Sequence, residues 1–431
     1  MKRLLQCEEW SRLRVGHGRE LETLDDLTSI LSAWKHNTGS DPSAYFDMRG
    51  DSLTPKFWSG TLDTPRFVLE VSPIGSTTLE PATRARLDAN ISAMLAAAMS
   101  SSSLDAGIST MSVGEGRHDA LLGAFCNELQ IARRRHILRR YSTMSDNLPS
   151  PKGRIAFPRQ CYESIRTPGR FSSEWVALTE DVPENRVFKE VLLRYRSRCA
   201  TNTRSKIDYC LAELDAVKRS GDYRLEWPSI RADRLSNNYL SLLKQSKALL
   251  DGDGAGLFSG EILANSEIVF TSRLFERFVA REIMKIAPSL GFKAVAQERG
   301  IYLCARETGA NSFEVIPDLR VLDGEGKTKF IVDTKWKTLN HELRNLGISS
   351  QDVYQVLIYA AKHECTDVVL LYPDTTPATG GNGYCEKFTS RLAGVQYHVH
   401  ILKLPLLAPN LSIPRDRLRM FLTANSARLA A

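Results

Sequence analysis

Two apolar runs, each carrying an aspartate, constrain this chain more than anything else in it. They are Val315-Ile316-Pro317-Asp318-Leu319-Arg320 and Phe330-Ile331-Val332-Asp333-Thr334-Lys335-Trp336-Lys337. Between them lies Asp323-Gly324-Glu325-Gly326, a stretch of turn formers. A carboxylate in a buried strand is costly unless something pairs with it. Two carboxylates and a lysine on neighbouring strands make a site for a hard divalent cation and an activated water. Side chains alternate along a strand, so Asp333 and Lys335 share a face. An antiparallel turn centred between Glu325 and Gly326 sets Asp318 opposite Asp333. The alternative is an edge hairpin with solvated charges, but Val315-Ile316 and Ile331-Val332 read as buried rather than edge-like.

At 431 residues the chain is too long for one ordinary core, and two or three domains are expected. With 42% hydrophobic and 25% charged residues it falls in the globular class, neither disordered nor fibrous. Its 57 basic against 50 acidic residues leave a net charge of +7, which permits nucleic-acid binding without requiring it. The eight cysteines are scattered with no Cys-x-x-Cys, which argues against a zinc site or a disulfide framework. The first residues, Met1-Lys2-Arg3-Leu4-Leu5-Gln6-Cys7-Glu8-Glu9, acquire acids before a signal-like apolar core forms. No apolar run approaches a membrane span, so a soluble cytoplasmic protein is expected.

Composition and periodicity divide the chain. Residues 1–117 read as a mixed α+β domain, with a strand at Arg66–Val71 and an alanine-rich helix from Leu87 to Met99. Ser100 to Gly116 reads as a linker. Residues 118–255 read as mainly helical. A long segment runs from Ala120 to Tyr141, a helix starts with Asp181 as its cap, and further helices cover Asn202–Ser220 and Asn237–Leu250. The loop Asp251–Gly256 is the clearest boundary. Residues 256–431 read as one open α/β layer. It holds a helix at 272–286, a three-strand meander at 293–304, 313–322 and 328–336, a helix at 350–362, and strands at 367–372 and 397–404.

Further residues gather around the hairpin. Glu276 lies on the apolar side of the 272–286 helix, where it can add a third carboxylate to the metal shell or simply pair with Arg277 or Arg281. Gln355 and Tyr359 lie four apart on one helix face, placed to contact a phosphodiester or to hydrogen-bond the lysine. Lys337 shares the face of Lys335, free to meet a DNA phosphate or solvent. Arg133 to Arg140 holds five arginines in eight positions, including Arg133, Arg134, Arg139 and Arg140. On a single helix these cannot all be buried, and they suit DNA phosphate or an acidic partner as well as a solvated face. No Gly-x-x-x-x-Gly-Lys-Ser/Thr is present, hence no P-loop, and no Gly-x-Ser-x-Gly. His398 and His400 form a close pair without a third ligand beside them.

Glu276 on a helix, Pro317-Asp318, Asp333-x-Lys335 and the Gln355 helix together resemble the core of the PD-(D/E)xK nucleases. Phe270-Thr271-Ser272-Arg273-Leu274-Phe275-Glu276, Asp333-Thr334-Lys335-Trp336-Lys337 and Asp352-Val353-Tyr354-Gln355-Val356-Leu357-Ile358-Tyr359-Ala360 look like the McrC family. Weaker matches lie at Lys152–Ile155, Glu184–Lys189 and Asp233–Tyr239, so the resemblance covers roughly residues 120–405. The N-terminal region matches poorly.

The resemblance implies an α/β nuclease domain of PD-(D/E)xK type at 256–431. It implies a mainly helical middle region at 118–255 and an N-terminal partner-docking domain at 1–117. It further implies a DNA endonuclease subunit of a modification-dependent restriction system, using Mg2+ or Mn2+. Asp318, Asp333, Glu276 and the Thr334 carbonyl would be metal ligands, Lys335 would act on the attacking water, and Gln355 and Tyr359 would position Lys335 or DNA. The implied partners are a McrB-like AAA+ GTPase hexamer, whose GTP hydrolysis the chain would stimulate, and double-stranded DNA carrying modified cytosine, with no membrane. Two other readings stand beside this one: a helicase-associated exonuclease of the same superfamily, and a non-catalytic activator of a ring NTPase.

Overall fold

The computed structural model describes residues 2–99, 117–231, 233–234, 236–251, 262–263, 266–376 and 384–429. The expected linker at 100–116 and the glycine-rich stretch at 252–256 lie outside the described residues. The backbone packs into two units, one formed by residues 1–124 with 251–431 and the other by residues 125–250.

The centre of the first unit is a six-stranded sheet. Its order is Lys293–Ala296, Leu319–Leu322, Thr328–Thr334, Asp367–Asp374, Val395–Pro405, Tyr384–Leu392. The first three strands are antiparallel neighbours, the middle pairings are parallel, and the outer pair is again antiparallel. Helix Ser350–Lys362 makes the crossover between the parallel strands Thr328–Thr334 and Asp367–Asp374. Continuous apolar runs such as Phe330-Ile331-Val332 and Val368-Val369-Leu370-Leu371 are what a central strand covered on both faces requires.

Alternation sorts these residues into two cores. Leu319, Val321, Phe330, Val332 and Val369 pack with Phe275 and Phe278 of helix Thr271–Ile286 and with Leu418 and Leu422 of helix Ser412–Leu429. Ile331, Val368, Leu370 and Ile401 pack under Val356, Leu357 and Ala360 of helix Ser350–Lys362. The result is a mixed α/β architecture in three layers. Helix Pro81–Met99 joins the first core and is fastened by Asn90, whose amide donates to the carbonyls of Leu406 (2.7 Å) and Ala408 (2.8 Å).

The N-terminal residues form a core of their own that also takes in two residues from further along the chain. Trp34, Tyr45, Phe46 and Trp58 enclose Ile268 and Phe270, which lead into helix Thr271–Ile286. Ser59 and Val269 exchange backbone hydrogen bonds at 2.8 and 2.9 Å.

The hairpin register is the one that sets the two aspartates opposite. Leu319 faces Val332 and Arg320 faces Ile331, so continuing one step pairs Asp318 with Asp333. A bulge near Leu322 admits a five-residue loop in which Gly326 N–H donates to the Asp323 carbonyl. Gly326 sits at φ 83°, a conformation that costs glycine little.

Several expectations need correction. The meander strands at 293–304 and 313–322 are each broken: Gln297 (φ 44°) turns the chain after Ala296, residues 315–318 separate Glu314 from the strand that starts at Leu319, and Tyr302–Ala305 pairs with Asn311–Glu314 as a separate hairpin. The edge strand Tyr384–Leu392 and helix Ser412–Leu429 were not anticipated. The expected long helix stops at Arg135, and Arg140–Leu148 is a strand paired along all nine residues with Phe171–Thr179. Residues 125–250 thus combine a three-stranded antiparallel sheet with helices Phe157–Arg166, Pro183–Tyr195, Thr201–Glu213 and Leu240–Asp251. Asp181 is not the helix cap, because Val182 holds that place and Asp181 instead grips Arg186 through two bonds of 2.7 and 2.9 Å.

Gly153 shows why Lys152-Gly153-Arg154 carries a glycine. It sits at φ 70°, and a Cβ there would lie 2.4 Å from the Glu174 carbonyl oxygen. Gly153→Ala is expected to destabilise the 125–250 unit by about 1–3 kcal/mol from backbone strain, with the overlap adding to it. Urea unfolding followed by tryptophan fluorescence checks this, and an unchanged midpoint contradicts it.

Candidate active site

The hairpin end is where the polar residues of the first unit converge. Asp333 occupies the last turn-free stretch of strand Thr328–Thr334 and is 2% exposed. Asp318 precedes strand Leu319–Leu322 and closes the open end of the hairpin. Its Oδ2 accepts from the Thr334 N–H (2.7 Å) and from the Thr334 hydroxyl (2.8 Å). Lys335 follows directly. Its ammonium lies 2.6 Å from Asp333 Oδ2 and donates to Gln355 Oε1 at 2.8 Å. Gln355 in turn donates from Nε2 to the Tyr359 hydroxyl at 2.7 Å, one helical turn along Ser350–Lys362. Tyr359, Gln355, Lys335 and Asp333 therefore form one continuous polar chain.

Glu276 reaches the same region from helix Thr271–Ile286. Its Oε1 accepts from Gln297 Nε2 at 2.6 Å. Gln297 holds its own place because its N–H donates to the Asp318 carbonyl at 3.1 Å.

Electrostatics bind these groups into one site. Burial, reinforced by the Asp318 charge, raises the Asp333 carboxyl to about 7. Burial and Glu276 raise Asp318 to about 6, against the pull of the two Thr334 hydrogen bonds. Burial also raises Glu276; the Gln297 bond opposes this and Asp333 adds to it. Burial pulls the Lys335 ammonium down, but Asp333, with Asp352 and Asp318, outweighs it and holds the lysine charged. Burial raises the Tyr359 phenol.

Carboxylates that push each other up are short of positive charge, and every donor here is oxygen. That is the environment a hard cation relieves. Among the described residues, no three His, Cys, Asp or Glu side chains gather closely enough to make a closed cage. The fit is therefore to an open site: Asp318 and Asp333 supplemented by backbone and water oxygens, the kind Mg2+ takes while keeping several waters.

One participant has no counterpart in the reading from sequence, and another acts through atoms that reading did not use. Asp352, 7% exposed, takes Lys337 at 2.9 and 3.2 Å and lies 3.9 Å from the Lys335 ammonium. Lys337 is thus tied down rather than projecting alone. Asp352 sits three residues before Gln355, and that spacing was its only signal. The other is Thr334, whose side chain and N–H clamp Asp318.

The arginine run does not form one helical face. Arg133 is buried against Glu180 (3.0 Å) and the Glu213 carbonyl (2.8 Å), and Arg139 grips Glu180 at 2.7 Å. Arg140 pairs with the fully buried Glu184 at 2.8 Å and with Asp233 at 2.5 Å. Arg134 and Arg135 are exposed at the helix end. His400 Nε2 lies 3.0 Å from Asp367, a buried strand-to-strand pair.

The architecture and the sequence both have relatives. A chain of the refined half-complex from a tetradecameric assembly of Thermococcus gammatolerans McrB AAA+ hexamers with bound McrC is similar in fold. Its TM-score is 0.59 at 14% identity, covering 97% of this chain and 99% of that one. A chain of the Thermococcus gammatolerans McrBC complex, also 14% identical, covers 66% of this chain and 88% of that one, but its TM-score of 0.38 carries no argument. No curated protein matches the chain. Among the described residues, no helix is long and apolar enough to cross a membrane. The family model described as McrBC 5-methylcytosine restriction system component matches residues 54–373, well over half the chain, and takes in the whole polar cluster from Glu276 to Tyr359. The chain belongs to that family of McrBC restriction system components.

Proposed function

We propose that this chain is the metal-dependent DNA endonuclease subunit of a McrBC-like restriction system, with a PD-(D/E)xK nuclease core in its C-terminal part. The observation that carries this is the convergence of Asp318, Asp333 and a charged Lys335 at one hairpin end, with Gln355 and Tyr359 behind the lysine.

Asp318 and Asp333, with the Thr334 carbonyl and water, would hold Mg2+ or Mn2+, and Glu276, held by Gln297, would support the shell from beside them. The cation when bound supplies Lewis-acid polarisation of the phosphate and lowers the pKa of a bound water. Thr334 orients Asp318 through two hydrogen bonds. Lys335 places a fixed positive charge beside Asp333, where negative charge develops on phosphate. Gln355 and Tyr359 hold the ammonium in that position. Asp352 holds Lys337, leaving it partly exposed at the rim where a DNA phosphate would pass. The solved neighbour comes from a McrB AAA+ assembly with bound McrC. By that likeness we assign this chain an AAA+ GTPase hexamer as partner, whose GTP hydrolysis it stimulates and which brings DNA carrying modified cytosine. Arg134 and Arg135, exposed at the helix end, are the members of the arginine run we assign to a DNA phosphate or an acidic partner.

Three outcomes are expected. With the partner, GTP and Mg2+, the wild type linearises covalently closed circular DNA containing modified cytosine. Asp333→Ala abolishes this and leaves partner binding and GTPase stimulation intact; surviving cleavage by Asp333→Ala refutes the site. A substrate requirement for free ends would favour the exonuclease reading instead. Lys335→Ala is expected to cut roughly 100- to 1,000-fold more slowly, and Gln355→Ala about 10- to 100-fold more slowly, measured in single-turnover assays.

The third outcome concerns pH. The raised carboxyls of Asp318 (about 6) and Asp333 (about 7) keep protons in the folded state that the unfolded chain has already lost. Without metal their contribution to stability is fully present below about pH 4, the ordinary carboxyl range, and is lost as pH rises through 6 to 7. Mg2+ binds the ionised pair, so its stabilisation grows over the same window. Thermal melts at pH 5 and pH 8 are expected to show a larger Mg2+-induced rise at pH 8, and the difference should vanish in Asp333→Asn.

A further inference from the structure

Glu9 directly follows the N-terminal strand Arg3–Glu8 and is 2% exposed. Its Oε2 accepts from the Trp336 indole N–H at 2.7 Å and from the Ile74 N–H at 3.0 Å. Its Oε1 accepts from the Thr271 hydroxyl at 2.5 Å. The identity of these donors is informative. Trp336 is the residue after Lys335, and Thr271 opens the helix that carries Glu276. The Trp336 ring also packs on Phe275, the neighbour of Glu276, with centroids 5.4 Å apart.

One buried carboxylate therefore ties the strand end bearing Asp333 and Lys335 to the helix bearing Glu276. Hydrogen bonds to a charged acceptor are shorter and stronger than neutral ones, so this node fixes spacing as well as composition. The strand itself is clamped next door. Glu8 accepts from the N–H groups of Gly75 and Thr77 (2.5 and 2.8 Å) and from the Thr77 hydroxyl. A metal site built from carboxylates that repel one another needs such support, because its affinity depends on how closely they are held.

We propose that Glu9 is a positioning residue for the metal-binding carboxylates. Through Trp336 and Thr271 it sets the distance between Asp333 and Glu276, and with it the affinity of the site for a divalent cation. The inference rests on the nuclease reading and adds a role for the N-terminal strand inside the cutting site.

The test is Mn2+ binding to the full chain, measured by electron paramagnetic resonance of free Mn2+, for wild type, Glu9→Gln and Trp336→Phe. Glu9→Gln replaces one acceptor oxygen by a donor, and Trp336→Phe removes only the indole donor. Each is expected to weaken Mn2+ binding about 10-fold, and the double variant to be little worse than either single one. In cleavage assays the Mg2+ needed for half-maximal rate should rise by the same factor, with KM for DNA unchanged. A merely structural role lowers the melting temperature and the fraction of active protein but leaves the Mn2+ affinity of the folded fraction unaltered, and that result overturns the inference. Trp336→Phe carries the test alone if Glu9→Gln does not fold. Wild type that binds no Mn2+ would sink the nuclease reading and this inference together. Wild-type binding that Asp333→Ala removes and both node variants keep sinks only the inference.

Discussion

A buried aspartate and a half-buried one, facing each other across a hairpin, are the constraint around which the first unit is arranged. Like charges at that separation are unstable without help, and both carboxyls are pushed well above their ordinary range. The protein partly offsets the strain from several directions. Thr334 donates twice to Asp318, Lys335 stands against Asp333, and Gln355 holds the lysine. The compensation is incomplete, and the remaining deficit of positive charge is what suits the site to a cation. Burying such a pair costs stability, and perturbed carboxyls of this kind mark a candidate functional site.

Much of this was legible in the sequence because its rules are local. Period-two alternation put Asp333 and Lys335 on one face, and the glycine pair in the turn set the register with Asp318. Helical spacing joined Gln355 to Tyr359. What was not legible depends on partners far along the chain. Gln297 reaches Glu276 only because a residue at φ 44° breaks the strand after Ala296. Glu9 meets Thr271 across 262 positions and Trp336 across 327, and no periodicity announces either. The arginine run misled for a related reason. Its charges looked like a single solvated helix face, but the helix ends at Arg135, and acids from other segments, Glu180, Glu184 and Asp233, claim Arg133, Arg139 and Arg140.

The buried arginine–carboxylate pairs of the 125–250 unit mark a different use of charge from that in the first unit. Glu184 is fully buried and Arg140 half-buried, and their pairing bridges the start of a strand and the start of a helix. Asp233 and Asp181 extend the set by gripping Arg140 and Arg186. Here each charge has an opposite partner, which leaves no deficit for a cation to fill. Such pairs select one arrangement of the elements more than they add stability.

The division of the chain also bears on the order in which it can be made. Residues 125–250 leave from and return to the same unit, whose N-terminal core is closed by Ile268 and Phe270 and whose six-stranded sheet begins only at Lys293. During synthesis the inserted segment has its whole sequence outside the ribosome before the aspartate hairpin exists. The first hundred residues must wait, their tryptophan-rich core open, for partners encoded more than two hundred positions later. A chain truncated before Trp336 lacks the donor that Glu9 needs and the Gln355 and Tyr359 that hold Lys335.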